Sequence, residues 1–325
     1  MVDTVNIARN FMPTVLITGG HGGIGYAAAR RLASCYKWNI LLAGRSPDQM
    51  KRAATDLRRD FGVDVTTLPL DTSSLRSVRQ AAAELVARLE SGHLASLDAV
   101  LCNAGGRFDG PVAYSEDGYE LTFATNCLGH FHLLELVADK IADGGRIIFT
   151  ASGTHDPDTM DGKLAGKVVE PDAIVLANAG KDGAAPISAG KRYSTSKLCN
   201  VLTAYELHRR LRRAGAGTAS IAFDPGFIPD SGFIRGMPRP AQWLMKTSAA
   251  RWLFKRIGVT MGSLEFSGAM LARLAADPAF ANGSGKYFQC DSGEFEEARS
   301  SVLSFDTQRA AKLWNQMEAL THPQA

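Results

Sequence analysis

Residues 14 to 25 read Thr-Val-Leu-Ile-Thr-Gly-Gly-His-Gly-Gly-Ile-Gly, and an alanine-rich helix pattern, Tyr26 to Ala33, follows them directly. The first five residues form a short apolar run rich in β-branched side chains, which is typical of a buried parallel strand. A strand, a glycine-rich turn and a helix in immediate succession place backbone N–H groups and the positive end of a helix dipole where a pyrophosphate can lie. The stretch therefore predicts the first strand-turn-helix unit of a nucleotide-binding α/β fold.

The glycine spacing in this turn is Thr-Gly-x-x-x-Gly-x-Gly. Glycine lets the backbone approach a dinucleotide closely because it carries no side chain at the point of contact. His21, inside the turn, offers a further donor near a phosphate, although a histidine there also suits a purely structural role. We expect the cofactor contacts of the turn to come from Thr18, Gly19, His21, Gly23, Ile24 and Gly25.

The second predicted strand, Trp38 to Ala43, ends at Gly44-Arg45-Ser46. In dinucleotide-binding sheets an acidic residue at this strand end bonds the ribose 2′-hydroxyl, whereas an arginine accommodates a 2′-phosphate. Arg45 therefore favours NADP(H) over NAD(H). The alternative is a solvated surface arginine.

Two further strand ends carry candidate cofactor residues. The strand Val63 to Leu70 closes in Asp71-Thr72, where Asp71 accepts from an adenine amino group or caps the helix predicted over 74–89. The strand Asp98 to Cys102 runs into Asn103-Ala104-Gly105, a turn of small residues that lets a cofactor pass over the strand ends.

The candidate catalytic side chains come later in the chain. The strand Arg146 to Ala151 delivers Ser152 at its carboxyl end, where ligands bind in open parallel sheets. A helix predicted over 193–213 places Tyr193 and Lys197 four residues apart on one face. We expect the Lys197 ammonium to lower the pKa of the Tyr193 phenol, so that the pair can move a proton. Asn126 lies in an otherwise apolar helix, where a buried amide must find partners.

The segments between these elements are less regular. Residues 153–192 carry turn signals with little periodicity and predict a long loop over the site. Residues 227–257 follow the strand 218–223 and its end at Pro225-Gly226, and they concentrate large apolar side chains such as Trp243 among basic ones. This composition suits a lid over an apolar pocket, a subunit contact or a membrane-surface helix, in that order. No linker or repeat divides residues 1–325, so we expect one domain.

Composition narrows the class of protein. The 325 residues are 45% hydrophobic with a net charge of +3, which is too small to indicate a nucleic-acid partner. The five cysteines are scattered and lack a CxxC spacing, so we expect neither disulfides nor a metal site: Cys35, Cys102, Cys127, Cys199 and Cys290. The first 13 residues lack a signal-peptide pattern, and no apolar run is long enough to insert stably in a bilayer. These features predict a cytoplasmic protein.

Together these motifs resemble the short-chain dehydrogenase/reductase family over roughly residues 14 to 290. The matching elements are Thr18-Gly19-x-x-x-Gly23-x-Gly25, Asp71, Asn103-Ala104-Gly105, Asn126, Ser152, Tyr193-x-x-x-Lys197 and Pro225-Gly226. The resemblance implies a Rossmann-type, doubly wound fold with a seven-stranded parallel sheet and flanking helices. It also implies hydride transfer between NADP(H) and a carbonyl or alcohol.

The resemblance assigns roles to individual residues. Tyr193 is the acid, Ser152 bonds the reacting oxygen, and Lys197 bonds the nicotinamide ribose. Asn126 holds a water that links Lys197 to solvent. Thr72, Pro225, Gly226 and Ile228 complete the cofactor contacts. Pairing through the helices 119–142 and 192–212 implies a homodimer or homotetramer.

Within the family the chain looks most like the retinol-dehydrogenase-like carbonyl reductases and the light-dependent protochlorophyllide reductases. Tyr193-x-x-x-Lys197-x-Cys199-Asn200 is shared with the pigment enzymes, in which the cysteine is thought to face the substrate. Cys199 equally suits a small buried apolar position. The turn Asn103-Ala104-Gly105-Gly106 departs from the Asn-Ala-Ala-Val expected in those enzymes. A non-catalytic dinucleotide sensor is a third possibility, although such proteins commonly lose the tyrosine or lysine.

Overall fold

One sheet organises the protein. The computed structural model describes residues 12–230 and 239–322. Within these ranges eight strands lie in the order β3-β2-β1-β4-β5-β6-β7-β8. Their bounds are β1 Thr14–Thr18, β2 Asn39–Gly44, β3 Val65–Pro69, β4 Ala99–Cys102, β5 Arg146–Thr150, β6 Ala219–Asp224, β7 Tyr287–Asp291 and β8 Glu294–Ala298.

The seven parallel strands implied by the family resemblance are β1 to β7, and β8 is an addition that pairs antiparallel with β7. A seven-stranded sheet was therefore one strand short. Ser292 and Gly293, which join β7 to β8, have φ values of 53° and 93°. Two residues at positive φ form the tight turn whose twist suits a β-hairpin. β8 has the sequence Glu-Phe-Glu-Glu-Ala, and its charges protect the sheet edge from pairing with another chain.

Helices cover both faces of the sheet, which makes the fold doubly wound. Those in the described ranges are α1 Gly23–Arg31, α2 Pro47–Phe61, α3 Leu75–Glu90, α4 Leu121–Phe123, α5 Gly129–Val137, α6 Met160–Ala165, α7 Ala173–Ala177, α8 Ala189–Arg213, α9 Arg239–Met245, α10 Ser248–Arg256, α11 Leu264–Ala276 and α12 Thr307–Thr321. π-helical turns follow α1 at Leu32–Tyr36 and join α4 to α5 at Ala124–Leu128. None of the described helices combines the length and the apolar character needed to cross a bilayer.

The prediction of a long irregular loop over 153–192 was wrong in part. The segment contains a 3₁₀ turn at Gly153–His155, the short helices α6 and α7, and the start of α8 at Ala189. Helices of five or six residues are too short to show an apolar period in sequence. Their caps are polar: the side chains of Thr159 and Asp172 accept backbone N–H groups at the starts of α6 and α7.

The core is divided by the sheet into two apolar layers. Val15 and Ile17 of β1 face one layer and Leu16 faces the other, and all three side chains are fully buried. α1, α2 and α11 fill the first layer, whereas α3, α5 and α8 fill the second. The chain moves outward from β1 to β3 and returns at β4, so the strand order reverses between β1 and β4. Such a reversal opens a crevice at the carboxyl ends of the strands.

A buried ion pair fastens the start of α8 to the loop after β4. Arg192 and Glu120 are 4% and 1% exposed, and Arg192 Nε lies 2.9 Å from Glu120 Oε1. Arg192 also donates to the carbonyls of Phe108, at 3.0 Å, and Ile187, at 2.5 Å. Glu120 Oε2 accepts the N–H of Phe123 at 2.8 Å. The ion pair balances the two buried charges, and the hydrogen bonds around it hold the residue next to Tyr193.

We expect Arg192→Met to lower the free energy of unfolding by about 3 to 5 kcal/mol, because it leaves the Glu120 charge buried and unpaired. Adding Glu120→Gln should recover part of this loss by removing that charge. Arg76→Met, which breaks the exposed Arg76–Glu116 pair, should leave stability nearly unchanged. Chemical denaturation of the three variants measures the differences. A loss in Arg192→Met no larger than in Arg76→Met would contradict a structural role for the buried pair.

Candidate active site

The glycine turn lies between β1 and α1 and has the close packing that only glycine permits. Gly19 has a φ of 67°, and a Cβ on Gly25 would lie 2.8 Å from the Gly19 carbonyl oxygen. Among the described residues, and apart from the chain neighbours, none has an atom within 4 Å of the position that a Cβ on Gly22 or Gly23 would occupy. The amino end of α1 therefore faces open space across a glycine surface, which suits a pyrophosphate. Ile24 packs partly buried against the apolar layer beneath it.

The hydroxyl of Thr18 joins the end of β1 to the turn after β4. Its Oγ1 accepts the N–H groups of Asn103 and Ala104, both at 2.9 Å. The Asn103 side-chain amide donates to the Thr18 carbonyl at 3.0 Å. A Cβ on Gly19 would lie 3.2 Å from Ala104 Cα, so the two turns touch. Thr18 and Asn103 thus shape the crevice through these bonds.

His130 is a part of this network that the sequence reasoning missed. Its Nε2 lies 2.9 Å from Thr18 Oγ1, and its Nδ1 lies 3.2 Å from the Asn126 carbonyl oxygen. A carbonyl can only accept, so we assign the proton to Nδ1, and Nε2 accepts from the Thr18 hydroxyl. Burial lowers the pKa of His130 to about 4, which keeps the ring neutral. The only signal in the sequence is a histidine within an apolar helix.

Asn126 lies in the π-helical turn Ala124–Leu128 and is fully buried. Its side-chain oxygen accepts the Gly106 N–H at 2.9 Å, and its amide nitrogen donates to the Gly106 carbonyl at 3.0 Å and to Ser196 Oγ at 2.9 Å. A Cβ on Gly105 would lie 2.8 Å from Asn126 Oδ1. The absence of a side chain at Gly105 therefore allows this amide to clamp the turn after β4.

The edge of the crevice at β2 and β3 carries the other predicted cofactor residues. Arg45 is exposed directly after β2, and the His21 ring packs on Gly44, where a Cβ would lie 2.9 Å from Nδ1. Asp71 Oδ1 accepts the N–H and the hydroxyl of Ser73, at 2.9 and 2.7 Å. The suggestion that Asp71 caps the next helix was wrong, because Ser74 caps α3. Thr72 is buried beside Asp71.

Tyr193, Lys197 and Ser152 come together at the carboxyl end of β5. Lys197 is 5% exposed, and its Nζ donates to the Thr150 carbonyl at 2.9 Å. Asn200 donates to the same carbonyl at 3.1 Å. The Tyr193 phenol and the Ser152 hydroxyl are hydrogen bonded. The Lys197 ammonium lies 5.6 Å from the centre of the Tyr193 ring.

The expectation that Lys197 lowers the pKa of the Tyr193 phenol was wrong. Burial raises the pKa of the Tyr193 phenol, and the hydrogen bond from Ser152 opposes this rise only in part. Burial also lowers the pKa of Lys197 to about 8. In both groups the low dielectric penalises the charged form more strongly than the neighbours stabilise it. The resting pair is therefore a protonated phenol beside a lysine that titrates near neutral pH.

The loop after Ser152 is fixed by a second set of buried groups. His155 Nδ1 donates to the Ser152 carbonyl at 2.7 Å, and its Nε2 accepts the Ser301 N–H at 3.0 Å. Asp161 accepts the N–H and the hydroxyl of Thr260, both at 3.2 Å. Burial, followed by the charge of Asp224, raises the pKa of Asp161 to about 6. No pattern in the sequence indicated Asp161 as a residue of the site.

The end of β6 completes the crevice. Asp224 is fully buried, and it accepts the Gly226 N–H at 2.9 Å, the Tyr287 hydroxyl at 3.0 Å and the Gln289 amide at 2.8 Å. Gly226 has a φ of 72° and lies against the Cys290 carbonyl, so a side chain would not fit. The bond from Gly226 to Asp224 closes the turn through Pro225, and the buried Ile228 follows. The predicted cofactor residues 225–228 therefore lie at the same sheet edge as Ser152.

The two candidate substrate residues lie in contrasting places. Cys199 is fully buried in an apolar cluster with Leu198 and Leu202, and burial together with Cys127 raises the pKa of its thiol. Trp243 on α9 is 72% exposed. Residues 231–238 of the predicted lid 227–257, and the N-terminal residues 1–11, lie outside the described ranges.

The sequence is similar to that of known proteins. A family model described as short chain dehydrogenase matches residues 13–161. Protochlorophyllide reductase A, chloroplastic, of Oryza sativa subsp. japonica is 34% identical over 326 residues, covering 94% of this chain and 80% of the relative. Protochlorophyllide reductase, chloroplastic, of Daucus carota is 33% identical, covering 94% of this chain and 77% of the relative.

Solved structures show the same fold. L-sorbose reductase from Gluconobacter frateurii, in complex with NADPH and L-sorbose, has a TM-score of 0.63 at 18% identity and covers 87% of this chain and 96% of its own. An uncharacterized protein from Mycobacterium Paratuberculosis has a TM-score of 0.63 at 25% identity, covering 95% of this chain and 92% of its own. The extent of these matches and the conjunction of the glycine turn with Ser152, Tyr193 and Lys197 lead to one conclusion: the chain belongs to the short-chain dehydrogenase/reductase family of oxidoreductases.

Proposed function

We propose that this protein transfers hydride between NADP(H) and the carbonyl or alcohol group of a bulky apolar compound. The observation that supports this reaction best is the hydrogen bond between Ser152 and Tyr193, with the Lys197 ammonium 5.6 Å from the tyrosine ring. A nicotinamide cofactor, when bound, supplies the hydride. The protein residues have to bind the cofactor, orient the substrate oxygen and deliver a proton.

Proton delivery falls to Tyr193. In the direction of reduction, the phenol gives its proton to the oxygen that becomes an alcohol, while the Ser152 hydroxyl donates a hydrogen bond to the same oxygen. The raised pKa of Tyr193 keeps the phenol protonated before reaction. Lys197, with a pKa near 8, supplies a positive charge that stabilises a phenolate once the proton has left.

Tyr193→Phe keeps the aromatic ring and its packing but removes the proton donor. We expect cofactor binding to survive and the rate of carbonyl reduction to fall by ~10² or more. Tyr205→Phe, on the same helix, removes a phenol that bonds Ser300 and serves as the control. Cofactor binding is measured by fluorescence titration with NADPH, and turnover by NADPH consumption with a panel of ketones and aldehydes. Turnover close to that of the parent protein would move the acid to another residue.

Cofactor choice depends on the phosphate at the adenosine ribose. Arg45 is exposed at the end of β2, and His21 packs on the neighbouring Gly44. The residue next to Arg45 is therefore in contact with the glycine turn through His21. The nitrogen atoms of Arg45 and His21 fit a 2′-phosphate, whereas a ribose 2′-hydroxyl calls for an acidic partner. This arrangement supports NADP(H) as the cofactor.

Arg45→Asp should weaken NADPH binding about ten- to hundredfold and affect NADH binding much less, because a charge-assisted bond to phosphate contributes ~1.5 to 3 kcal/mol. Arg79→Asp, on an exposed site of α3, makes the same change of charge away from the turn and should leave both affinities unchanged. Fluorescence titrations with both cofactors test this. Equal affinity of the parent protein for NADPH and NADH would defeat the assignment.

A second candidate function is the reduction of a carbon–carbon double bond in a pigment related to protochlorophyllide. The identity of 34% with protochlorophyllide reductase A of Oryza sativa subsp. japonica favours it. Gly105 weighs against it: the alanine expected at this position in those enzymes would bring its Cβ within 2.8 Å of Asn126 Oδ1. Illumination of the protein with NADPH and protochlorophyllide separates the two candidates, since only pigment reduction would consume this substrate.

The size and polarity of the substrate are proposed from the apolar segment after β6. α9 and α10 expose Trp243, Leu244, Trp252 and Leu253. Phe254 of α10 packs edge-on against Phe227 at a ring distance of 5.6 Å, which attaches the helix to the edge of the crevice. Closing such a segment over a large apolar compound would remove these side chains from water, with about 0.8 kcal/mol gained per methylene.

We expect Trp243→Ala to raise KM for large apolar ketones more than for small ones, because the large substrates lose the greater apolar contact. Kinetics across a size series measure this ranking, and size-exclusion chromatography of the same variant measures assembly. Altered assembly with unchanged substrate ranking would assign these helices to a subunit contact instead. Three expectations stay predictions: a single domain, a cytoplasmic location, and a homodimer or homotetramer. The third candidate function, a non-catalytic dinucleotide sensor, would be excluded by turnover of a carbonyl compound.

A further inference from the structure

Two histidines and a glutamate lie close together where the carboxyl end of α12 meets α5. His132 and Glu135 lie three residues apart on α5, and His322 directly follows α12. His132 Nδ1 lies 3.0 Å from Glu135 Oε2, and His322 Nε2 lies 3.6 Å from Glu135 Oε1. One potential ligand atom from each residue lies within 4.8 Å of the other two.

These separations match the geometry of a bound transition metal. Zinc binds histidine nitrogen and carboxylate oxygen at roughly 2.0 to 2.2 Å with tetrahedral geometry, which places neighbouring ligand atoms about 3.3 to 3.5 Å apart. The two nitrogen–oxygen distances, 3.0 and 3.6 Å, lie on either side of this spacing, and they end on the two different oxygens of the Glu135 carboxylate, which faces both histidines. His322 is 63% exposed and has room to move the remaining distance.

The burial of His132 is a second feature that suits a metal ligand. The side chain is 1% exposed, and its Nδ1 is the nitrogen that faces the Glu135 carboxylate. Coordination through Nδ1 leaves the proton on Nε2, so the buried imidazole stays neutral. Glu135 is 14% exposed, which gives the cluster one ligand buried, one at the boundary and one in solvent.

We propose that His132, Glu135 and His322 bind one divalent transition-metal ion, with zinc the best fit. Two imidazole nitrogens and one carboxylate oxygen are borderline ligands that suit zinc, whereas magnesium and calcium prefer oxygen alone. The exposure of His322 leaves the fourth coordination position to water. The sequence analysis expected no metal site because the cysteines are scattered. The proposed site contains no cysteine, so that argument does not apply to it.

The position of the cluster predicts a consequence for the fold. A metal ion there connects α5 to the carboxyl end of α12. α12 covers an apolar cluster in which Leu313 and Met317 pack with Leu198 and Leu202 of α8, the helix that carries Tyr193. A ligand that binds only the folded protein stabilises it by mass action. Zinc should therefore raise the unfolding temperature.

The test is zinc titration of the full-length protein after treatment with a chelator, by calorimetry and by thermal unfolding. We expect one zinc ion per chain and a rise in unfolding temperature. His322→Gln and Glu135→Gln should each weaken binding by about tenfold or more and abolish the rise, because each removes a ligand. The control is His93→Gln, which removes another exposed histidine. His93 is bonded to Ser91 and is distant in sequence from the three proposed ligands. This variant should bind zinc as the parent does.

Cobalt provides a second measurement that identifies the ligands. Cobalt in the proposed site should show visible bands of a four- or five-coordinate ion without a thiolate charge-transfer band. A thiolate band would assign the metal to the exposed Cys35 and overturn the proposal. Failure of the parent protein to bind zinc at one ion per chain would overturn it as well. Equal zinc affinity of the parent protein and His322→Gln would also overturn the proposal.

Discussion

The ammonium of Lys197 is buried, and the need to hold a positive charge in the interior constrains the structure around it. Its Nζ bonds the carbonyl of Thr150, which also accepts from Asn200. That carbonyl is available only because β5 ends there, at the carboxyl edge of the sheet. Burial in this position lowers the pKa of the lysine to about 8. The same side chain lies beside Tyr193, with its ammonium 5.6 Å from the centre of the ring.

A chain of hydrogen bonds joins the glycine turn to α8, the helix that carries Tyr193 and Lys197. Thr18 bonds His130, His130 bonds the carbonyl of Asn126, and the Asn126 side chain bonds Ser196. Ser196 in turn donates to the carbonyl of Tyr193 at 2.7 Å. Each member is buried, so a displaced partner leaves an unsatisfied polar group. We infer that this chain fixes the distance between the predicted cofactor turn and Tyr193, the proposed proton donor.

The sequence was sufficient for the parts of the fold that repeat a local pattern. The strands β1 and β2 were predicted close to their observed bounds, and the glycine turn was predicted between β1 and α1, because apolar period and turn residues are local signals. Tyr193 and Lys197 were placed correctly on one helix for the same reason. β8 was missed although Ser292-Gly293 is a recognisable hairpin turn.

Features that depend on tertiary packing were not accessible in this way. His130 and Asp161 acquire their surroundings from segments distant in sequence. Arg192 pairs with Glu120, which lies 72 positions earlier in the chain. The pKa of Tyr193 was predicted in the wrong direction, because the spacing of Lys197 is visible in sequence whereas the depth of burial is not. His132 and His322 meet only because α12 packs against α5.

The central claim is that hydride passes to a carbonyl carbon while Tyr193 supplies the proton. Transfer of an isotopic label measures this: NADPH carrying deuterium in both positions at the nicotinamide C4 is incubated with an apolar ketone, and the alcohol is analysed by mass spectrometry. The account predicts one deuterium on the former carbonyl carbon with the parent protein, and almost none with Tyr193→Phe at equal cofactor occupancy. Bound NADPH that transfers no deuterium to any carbonyl tested, or equal transfer by both proteins, would contradict it.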